Sequence, residues 1–199
     1  MKLVEKALIL AFLLTVLFSF TGLAGMSEDI PNHVLRLHVL ANSDSQEDQS
    51  LKLAVRDRIL AESKGIFSGV HTKEEAEKAV QENLDRLEAA AQDEVWDQGY
   101  SYPVTIELEN IYFSTRYYED VTLPAGRYDA LRVRIGKAEG HNWWCVLFPS
   151  LCVPAAGDGA ELDDVLSASQ MDLVENGYEI KFKSLELYEQ AKEWFADHF

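Results

Sequence analysis

The sequence predicts an α+β fold: a mostly antiparallel sheet of four to five strands, two helices on one face of it, and a C-terminal amphipathic helix. Short apolar runs alternate with polar residues at the period of a half-buried strand. Two longer stretches repeat apolar residues at helical spacing, and turn residues separate these segments. The 199 residues are 47% hydrophobic and 11% aromatic, which is enough to build a core.

The N-terminal segment has the order of parts found in a signal peptide. Two lysines precede an apolar run over residues 7–20, and small residues follow up to Ala24, where a signal peptidase reads them. We therefore expect a signal peptide over residues 1–24 and an exported mature chain. An uncleaved membrane anchor is the alternative, because the apolar stretch is close to the roughly 18 residues that a span requires.

A strand and a helix are predicted next. Apolar residues alternate with Arg36 and His38 over residues 34–40, and polar turn residues then end the strand. Ser45 is suited to cap the following helix. That helix repeats an apolar residue every four positions, so we expect it to bury one stripe and to hold Lys52, Arg56 and Arg58 nearer water.

A second helix is predicted over residues 72–95, starting from a capping-box sequence at Thr72 and ending before Gly99. Apolar and polar residues then alternate over residues 104–109, which predicts a second strand. Residues 111–118 are suited to form a third strand.

The remaining strands are predicted as a β-hairpin. Apolar residues alternate with arginines over residues 131–135, and a polar, glycine-bounded turn covers residues 136–142. A continuous apolar run over residues 143–148 forms the second strand, which Pro149 ends because it cannot donate to a ladder.

Trp143 and Trp144 are expected to point to opposite faces of this hairpin. If helices cover one face only, one tryptophan lies in the core and the other lies on an open face, where a large exposed aromatic residue marks an interface. Because Val146 and Phe148 are the bulkier neighbours, Trp144 is assigned to the core and Trp143 to a partner.

The predicted partner-binding surface adds polar neighbours to the tryptophans. Three arginines, Arg132, Arg134 and Arg116, would lie at its rim and meet an acidic partner surface. The turn histidine is suited either to a structural hydrogen bond with the backbone or to a catalytic role. The candidate set is Trp143, Trp144, His141, Asn142, Arg132 and Arg134.

The only cysteines, Cys145 and Cys152, leave three interpretations open. A disulfide fits an even count in an exported chain. Two buried thiols, or a catalytic Cys145 with His141 as its base, are the alternatives.

Composition and motifs argue against several classes of function. The chain carries 34 acidic and 18 basic residues, a formal net charge of −16, which disfavours binding to nucleic acid or to anionic lipid. No familiar catalytic motif occurs, and no histidines have the spacing of a metal pair. We therefore expect no catalytic residues, no metal and no cofactor.

The composition changes after Pro154, which predicts a core domain over residues 25–154 and an acidic extension over residues 155–199. Residues 157–199 contain eleven acidic residues and three lysines. We expect the extension to dock on the core through one helical face, made of Leu185, Leu187, Tyr188, Ala191, Trp194 and Phe195.

Three blocks of the sequence resemble the stage II sporulation protein R family. They read LRLHVLANSDSQEDQSLKLAVRD, YEDVTLPAGRYDALRVRIG and GHNWWCVLFPSLC, and they span most of the chain from Leu35 to Cys152. Tandem tryptophans followed by cysteine, inside a strand closed by proline, are the most specific part.

The resemblance implies a function that the residues alone do not. The family is a secreted, non-enzymatic signalling protein of endospore-forming bacteria, made in the forespore and passed into the intermembrane space. It is needed for a membrane-embedded aspartic protease of the mother cell, the implied partner, to process the precursor of an early sigma factor. A secreted hydrolase of cell-wall material, using His141 and a carboxylate, is the alternative.

Overall fold

The computed structural model describes residues 2–118, 121–149, 151, 161–176, 186–192 and 194–195. Their elements, in chain order, are α1 (Lys2–Asp29), β1 (Leu35–Leu40), α2 (Gln46–Ile66), α3 (Lys73–Glu82), α4 (Leu84–Asp97), β2 (Val104–Phe113), β3 (Arg116–Tyr118), β4 (Val121–Leu123), β5 (Gly126–Ile135), β6 (Asn142–Phe148), α5 (Leu162–Val165) and α6 (Ala168–Asn176).

The chain divides into two compact units. The larger unit comprises Pro31–Phe113 and Arg127–Ser167, and the smaller comprises Met1–Ile30, Ser114–Gly126 and Ala168–Phe199. The predicted α+β class is confirmed. The predicted limits of signal peptide, core domain and extension stay predictions.

The larger unit contains a four-stranded sheet in the order β2-β5-β1-β6. β1 runs parallel to β5 and antiparallel to β6, so Leu37 lies between Leu131 and Cys145. The predicted hairpin is therefore wrong, because β1 separates its two strands. β1 is buried at all six positions and takes the centre of the sheet, while the chain between Ile135 and Asn142 passes over its end.

Helices α2, α3 and α4 cover one face of this sheet, as predicted. Their apolar stripes meet the inward residues of the strands, and Val55, Val80, Leu87, Leu131 and Cys145 are all completely buried there. The second predicted helix is instead two helices that break at Asn83. The side chain of that residue donates through Nδ2 to Ala79 O (2.8 Å), a local bond that competes with the regular helix.

In the smaller unit, the C-terminal end of α1 is bonded to C-terminal segments. Gln170 donates to Asp29 (3.0 Å), and Lys192 pairs with Glu28 (2.8 Å). β3 and β4 form a separate antiparallel pair, so the predicted third strand is divided between β2 and β3. Within the described ranges, no helix is long and apolar enough to cross a membrane.

The predicted C-terminal helix is present over residues 186–192. Most of its apolar face is exposed: Leu187 by 59%, Trp194 by 52% and Phe195 by 57%. Leu185, which was assigned to the same face, lies outside the described residues.

Candidate functional site

A row of four side chains crosses the sheet on the face opposite the helices. His38 on β1 lies in register with Arg132 on β5 and with Trp144 on β6. On β2, Glu109 accepts a hydrogen bond from Arg132 Nη1 (2.7 Å). We name Glu109, Arg132, His38 and Trp144 the cross-sheet row.

His38 and Trp144 are stacked at the centre of this row. Their ring centroids are 3.8 Å apart with planes 8° from parallel, and Phe113 meets the indole edge-on at 4.7 Å. His38 is 3% exposed, and neither ring nitrogen makes a hydrogen bond of normal geometry with a described residue. Burial lowers the pKa of His38 to about 4, although the nearby side chain of Asn142 opposes this, so the imidazole is neutral at pH 7.

A buried arginine lies beside the row on the same strand. Arg36 is completely buried, and its guanidinium carbon lies 4.0 Å from the ring centroid of Phe113 and 4.8 Å from that of Tyr128. Desolvated cations over aromatic faces are held by the ring quadrupole. This cluster fixes Phe113, which in turn contacts Trp144.

The two arginines of the predicted partner-binding surface form ion pairs with carboxylates of β2. Arg134 pairs with both Glu107 and Glu109, and Arg132 also pairs with Glu109. Burial acts to raise the pKa of Glu109, but hydrogen bonds from both arginines hold it below its ordinary value. Because these pairs run from Glu107 to Arg134 and from Glu109 to Arg132, the two strands are antiparallel.

The two tryptophans lie on opposite faces, as expected, but their assignment is reversed. Trp143 packs against the helix-covered core, with the guanidinium carbon of Arg56 4.2 Å from its ring centroid. Trp144 is half-buried on the other face, within the cross-sheet row. The prediction that Trp144 enters the helix-side core is wrong, since side-chain direction is set by pairing with β1 and not by neighbouring bulk.

The face opposite the helices is also less open than expected. Arg36, Tyr128 and Val146 are buried there with His38. Exposure is concentrated at one end, where Asn142 is exposed and Arg132, Arg134 and Trp144 are half-buried. The structure thus brings Arg132, Arg134, Asn142 and Trp144 together, and places Trp143 apart from them.

The loop before β6 is held by the loop after β1. The N–H of Gly140 donates to Ala41 O (2.9 Å), and the N–H of Lys137 donates to Asn42 Oδ1 (3.0 Å). Gly140 lies so close that a Cβ there would be 2.2 Å from Ser43 O. These two loops, which we name the interlocked loops, therefore fix where β6 begins, and with it the positions of both tryptophans.

A buried carboxylate organises the loop after β1. Asp48 accepts hydrogen bonds from Asn42 Nδ2 (2.8 Å) and Ser43 Oγ (2.5 Å), while its own N–H donates to Ser45 Oγ (3.1 Å), which caps α2 as predicted. Burial acts to raise the pKa of Asp48, and the bonds from Ser43 and Asn42 hold it below its ordinary value.

The prediction that Lys52 lies near water is wrong. Its ammonium group donates to His141 O (3.0 Å) and to Gln49 Oε1 (2.6 Å), and the residue is 5% exposed. Burial lowers the pKa of Lys52. The buried cation connects α2 to the loop before β6.

His141 pairs with a carboxylate at the exposed edge of these loops. Its Nδ1 lies 2.5 Å from Asp44 Oδ1, its N–H donates to the same oxygen (2.6 Å), and the two side chains are 79% and 56% exposed. Such a pair is suited to general-base chemistry. Within the part of the chain that the structure describes, however, the imidazole and N–H of His141 are bonded to Asp44, and its main-chain oxygen accepts from Lys52. None of these hydrogen bonds involves a hydroxyl or a thiol.

Cys145 is completely buried on the helix side of β6. Cys152 lies outside the described residues, so the Cys145–Cys152 bond stays a prediction. No three His, Cys, Asp or Glu side chains of the described ranges gather as metal ligands.

Sequence reasoning missed His38, Arg36, Phe113 and Tyr128. The available signal was two basic residues inside an otherwise apolar strand, LRLHVL. Alternation suggests that such residues face water, whereas a central strand is often buried on both faces.

Comparison with known proteins decides the family. The model of stage II sporulation protein R (spore_II_R) matches residues 31–157, which contain the whole four-stranded sheet and both interlocked loops. The chain belongs to the stage II sporulation protein R family. The resemblance expected from the sequence blocks is thereby confirmed.

A relative in Bacillus subtilis (strain 168), named "Stage II sporulation protein R", is 37% identical over 123 residues. That alignment covers 62% of this chain and 55% of the relative, so the chain spans about half the length of this family member. No solved structure matches the chain.

Proposed function

We propose that the chain is a secreted, non-enzymatic signal for sporulation. In this proposal it binds the extracytoplasmic part of the membrane-embedded aspartic protease that processes the precursor of the early mother-cell sigma factor. The observation that carries the proposal is the family match over residues 31–157, which includes every member of the cross-sheet row.

The exposed end of the cross-sheet row supports a protein-binding role. Tryptophan and arginine are enriched among the residues that dominate interface energetics. Trp144 and Arg132 are both half-buried, and stacking on His38 and pairing with Glu109 already fix their positions. A surface ordered before binding loses less conformational entropy when the partner arrives.

Activation requires that the chain prefers the active form of the protease. A ligand shifts a two-state equilibrium only through its differential affinity. Moving from mostly inactive to mostly active takes roughly 5.5 kcal/mol of that difference. Two or three well-packed anchors of about 2 kcal/mol each supply this amount.

Export is part of the same proposal. The basic residues, apolar run and small residues of positions 1–24 support passage across the forespore membrane, with cleavage before Gly25. A retained N-terminal anchor would leave the folded part on the same side of the membrane.

A cell-wall-directed hydrolase is the second candidate. The exposed His141–Asp44 pair favours it, because a histidine oriented by a carboxylate is a common general base. In that case water would be the nucleophile.

The test is reconstitution of the protease and the sigma-factor precursor in membranes, with and without this chain. Processing should depend on the chain and should survive His141→Ala. Cleavage of purified cell wall by the chain, abolished by His141→Ala, would instead establish the hydrolase.

A further inference from the structure

We propose that the open edge of β2 is a docking site for an extended, basic peptide segment of a partner protein. The segment would add to the sheet as one more short strand. β2 is a terminal strand of the four-stranded sheet. Main-chain groups on such an edge form a template on which another strand can pair.

The first half of this edge is closed by side chains of α4. The N–H of Val104 donates to Gln92 Oε1 (2.9 Å), and the N–H of Ile106 donates to Glu88 Oε2 (3.0 Å). Gln92 also donates through Nε2 to Tyr102 O (3.0 Å). These bonds occupy the groups that an added strand would need, so strand addition is blocked there.

Beyond the caps from α4, the edge is open at Leu108 among the described residues, whereas Asn110 O, further along, accepts a hydrogen bond from Arg127 Nη2 (2.8 Å). Main-chain groups alternate between the two sides of a strand, so the N–H of Leu108 points to the same side as those of Val104 and Ile106. Across the described ranges, no group on that side forms a hydrogen bond with the main chain of Leu108. The caps from α4 therefore end where a groove begins.

This groove separates β2 from a polar face of α3. The residues that line it from the helix are spaced as one helical face: Glu74, Glu77, Lys78 and Gln81. Leu108, Glu109 and Asn110 line it from β2, and Asp129 lines it from β5. Leu108 is half-buried and contacts the core, so it offers an occupant a small apolar surface beside its free main-chain groups.

The charge of the groove is unbalanced toward carboxylates. Asp129 and Glu77 share one ammonium group, that of Lys73, which lies 3.2 Å from Glu77 Oε1. Burial acts to lower the pKa of Lys73, but the hydrogen bond to Asp129 holds it above its ordinary value. Glu74 forms no ion pair with a described residue, and Lys78, whose side chain is 77% exposed, pairs with Glu82 (3.9 Å).

These features select the occupant. An extended chain supplies the main-chain donor and acceptor that face Leu108, and lysine or arginine side chains on it would meet Glu74 and Glu77. The spacing of a strand, about 3.3 Å per residue, lets two successive basic residues on one side reach carboxylates one helical turn apart. Nucleic acid and anionic lipid are excluded by the sign of the charge.

The test measures amide hydrogen exchange of the full chain with two synthetic octapeptides, one of alternating lysine and valine and one of alternating glutamate and valine. The lysine peptide should slow exchange at Leu108 by at least about tenfold. Val104 and Ile106, which are already capped, should change little. The glutamate peptide should leave all three unchanged.

The charge variant Glu74→Gln with Glu77→Gln should weaken binding of the lysine peptide at least about fivefold. Asp93→Asn with Asp97→Asn on the exposed side of α4 removes the same charge and should leave binding unaltered. Equal binding of the two peptides, protection on another strand, or full binding by the Glu74/Glu77 variant would each overturn the proposal.

Discussion

The imidazole of His38 lies flat against the indole of Trp144, with ring centroids 3.8 Å apart and planes 8° from parallel. The two residues are cross-strand partners on β1 and β6. Because His38 is buried and in register with Arg132, it links the arginine side of the sheet to the tryptophan. A neutral, buried histidine therefore supports Trp144 at the exposed end of the proposed binding surface.

Acid should destabilise the fold through His38. Its folded-state pKa is lowered by burial from 6.5 to about 4, so the unfolded chain binds the proton first as pH falls. The stability that neutral His38 contributes is fully present above pH 6.5 and is lost as pH falls from 6.5 to 4. Each pKa unit is worth about 1.4 kcal/mol. After allowance for solvent screening, the free energy of unfolding should fall by on the order of 2 kcal/mol.

Urea unfolding at steps of pH, for the wild type and for His38→Phe, isolates this contribution. Phenylalanine keeps a ring against Trp144 but does not titrate. The variant should show a shallower loss of stability between pH 6.5 and pH 4, the remainder coming from carboxylates. Identical pH dependence in both proteins would show that His38 is not the titrating group.

Gly140→Ala should destabilise the larger unit by about 1–3 kcal/mol. Its Cβ would stand 2.2 Å from Ser43 O, so one of the two interlocked loops must move, and overpacking costs about this much. Gly65→Ala is the matched control, because no described atom beyond its chain neighbours and its own helix backbone lies within 4 Å of its Cβ. Alanine also favours the helix by up to about 1 kcal/mol. Urea unfolding should give Gly140→Ala the lower free energy of unfolding of the two variants. The opposite order would contradict the contact between the loops.

The exported protein should contain a Cys145–Cys152 disulfide. The bond would contribute less than the ~3 kcal/mol expected for a 15-residue loop, since the loop here is shorter. Alkylation of native protein without reductant, followed by mass spectrometry, should leave both cysteines unmodified. Two alkylated cysteines in freshly isolated protein would contradict the prediction.

The mature chain should begin at Gly25. Protein recovered from outside the cytoplasm is measured by intact mass, and loss of residues 1–24 is the expected result. A full-length mass in the membrane fraction would establish a retained anchor instead. Ala24→Asp provides the control, since a charged residue at the cleavage position should block processing without changing the apolar run.

Local patterns were sufficient to predict the class of fold, the cap at Ser45 and the opposite directions of Trp143 and Trp144. Each of these depends on a few neighbouring residues. Strand order was not predictable in this way, because the parallel pairing of β1 with β5 joins segments about ninety residues apart. Alternation alone made β5 and β6 neighbours, although β1 lies between them.

The same difference between local patterns and long-range pairing explains why only part of the candidate site was predicted. Arg132, Arg134, Asn142 and Trp144 were named from the sequence, and the structure gathers them at one end of the sheet. His38 was missed because its polarity suggested an exposed position. Only the central place of β1, a long-range property, buries both of its faces.

The most direct test of the central claim measures precursor processing by the reconstituted protease when the activating chain carries Trp144→Ala. The same chain with Trp96→Ala is the control. Trp96 is 59% exposed on α4 and receives the same substitution away from the cross-sheet row. Urea unfolding first confirms that both variants are folded at the assay temperature. Loss of an anchor worth about 2 kcal/mol should raise the concentration of Trp144→Ala needed for half-maximal processing roughly 30-fold, while Trp96→Ala should match the wild type. Wild-type processing by a folded Trp144→Ala chain would contradict the claim that this face binds the protease.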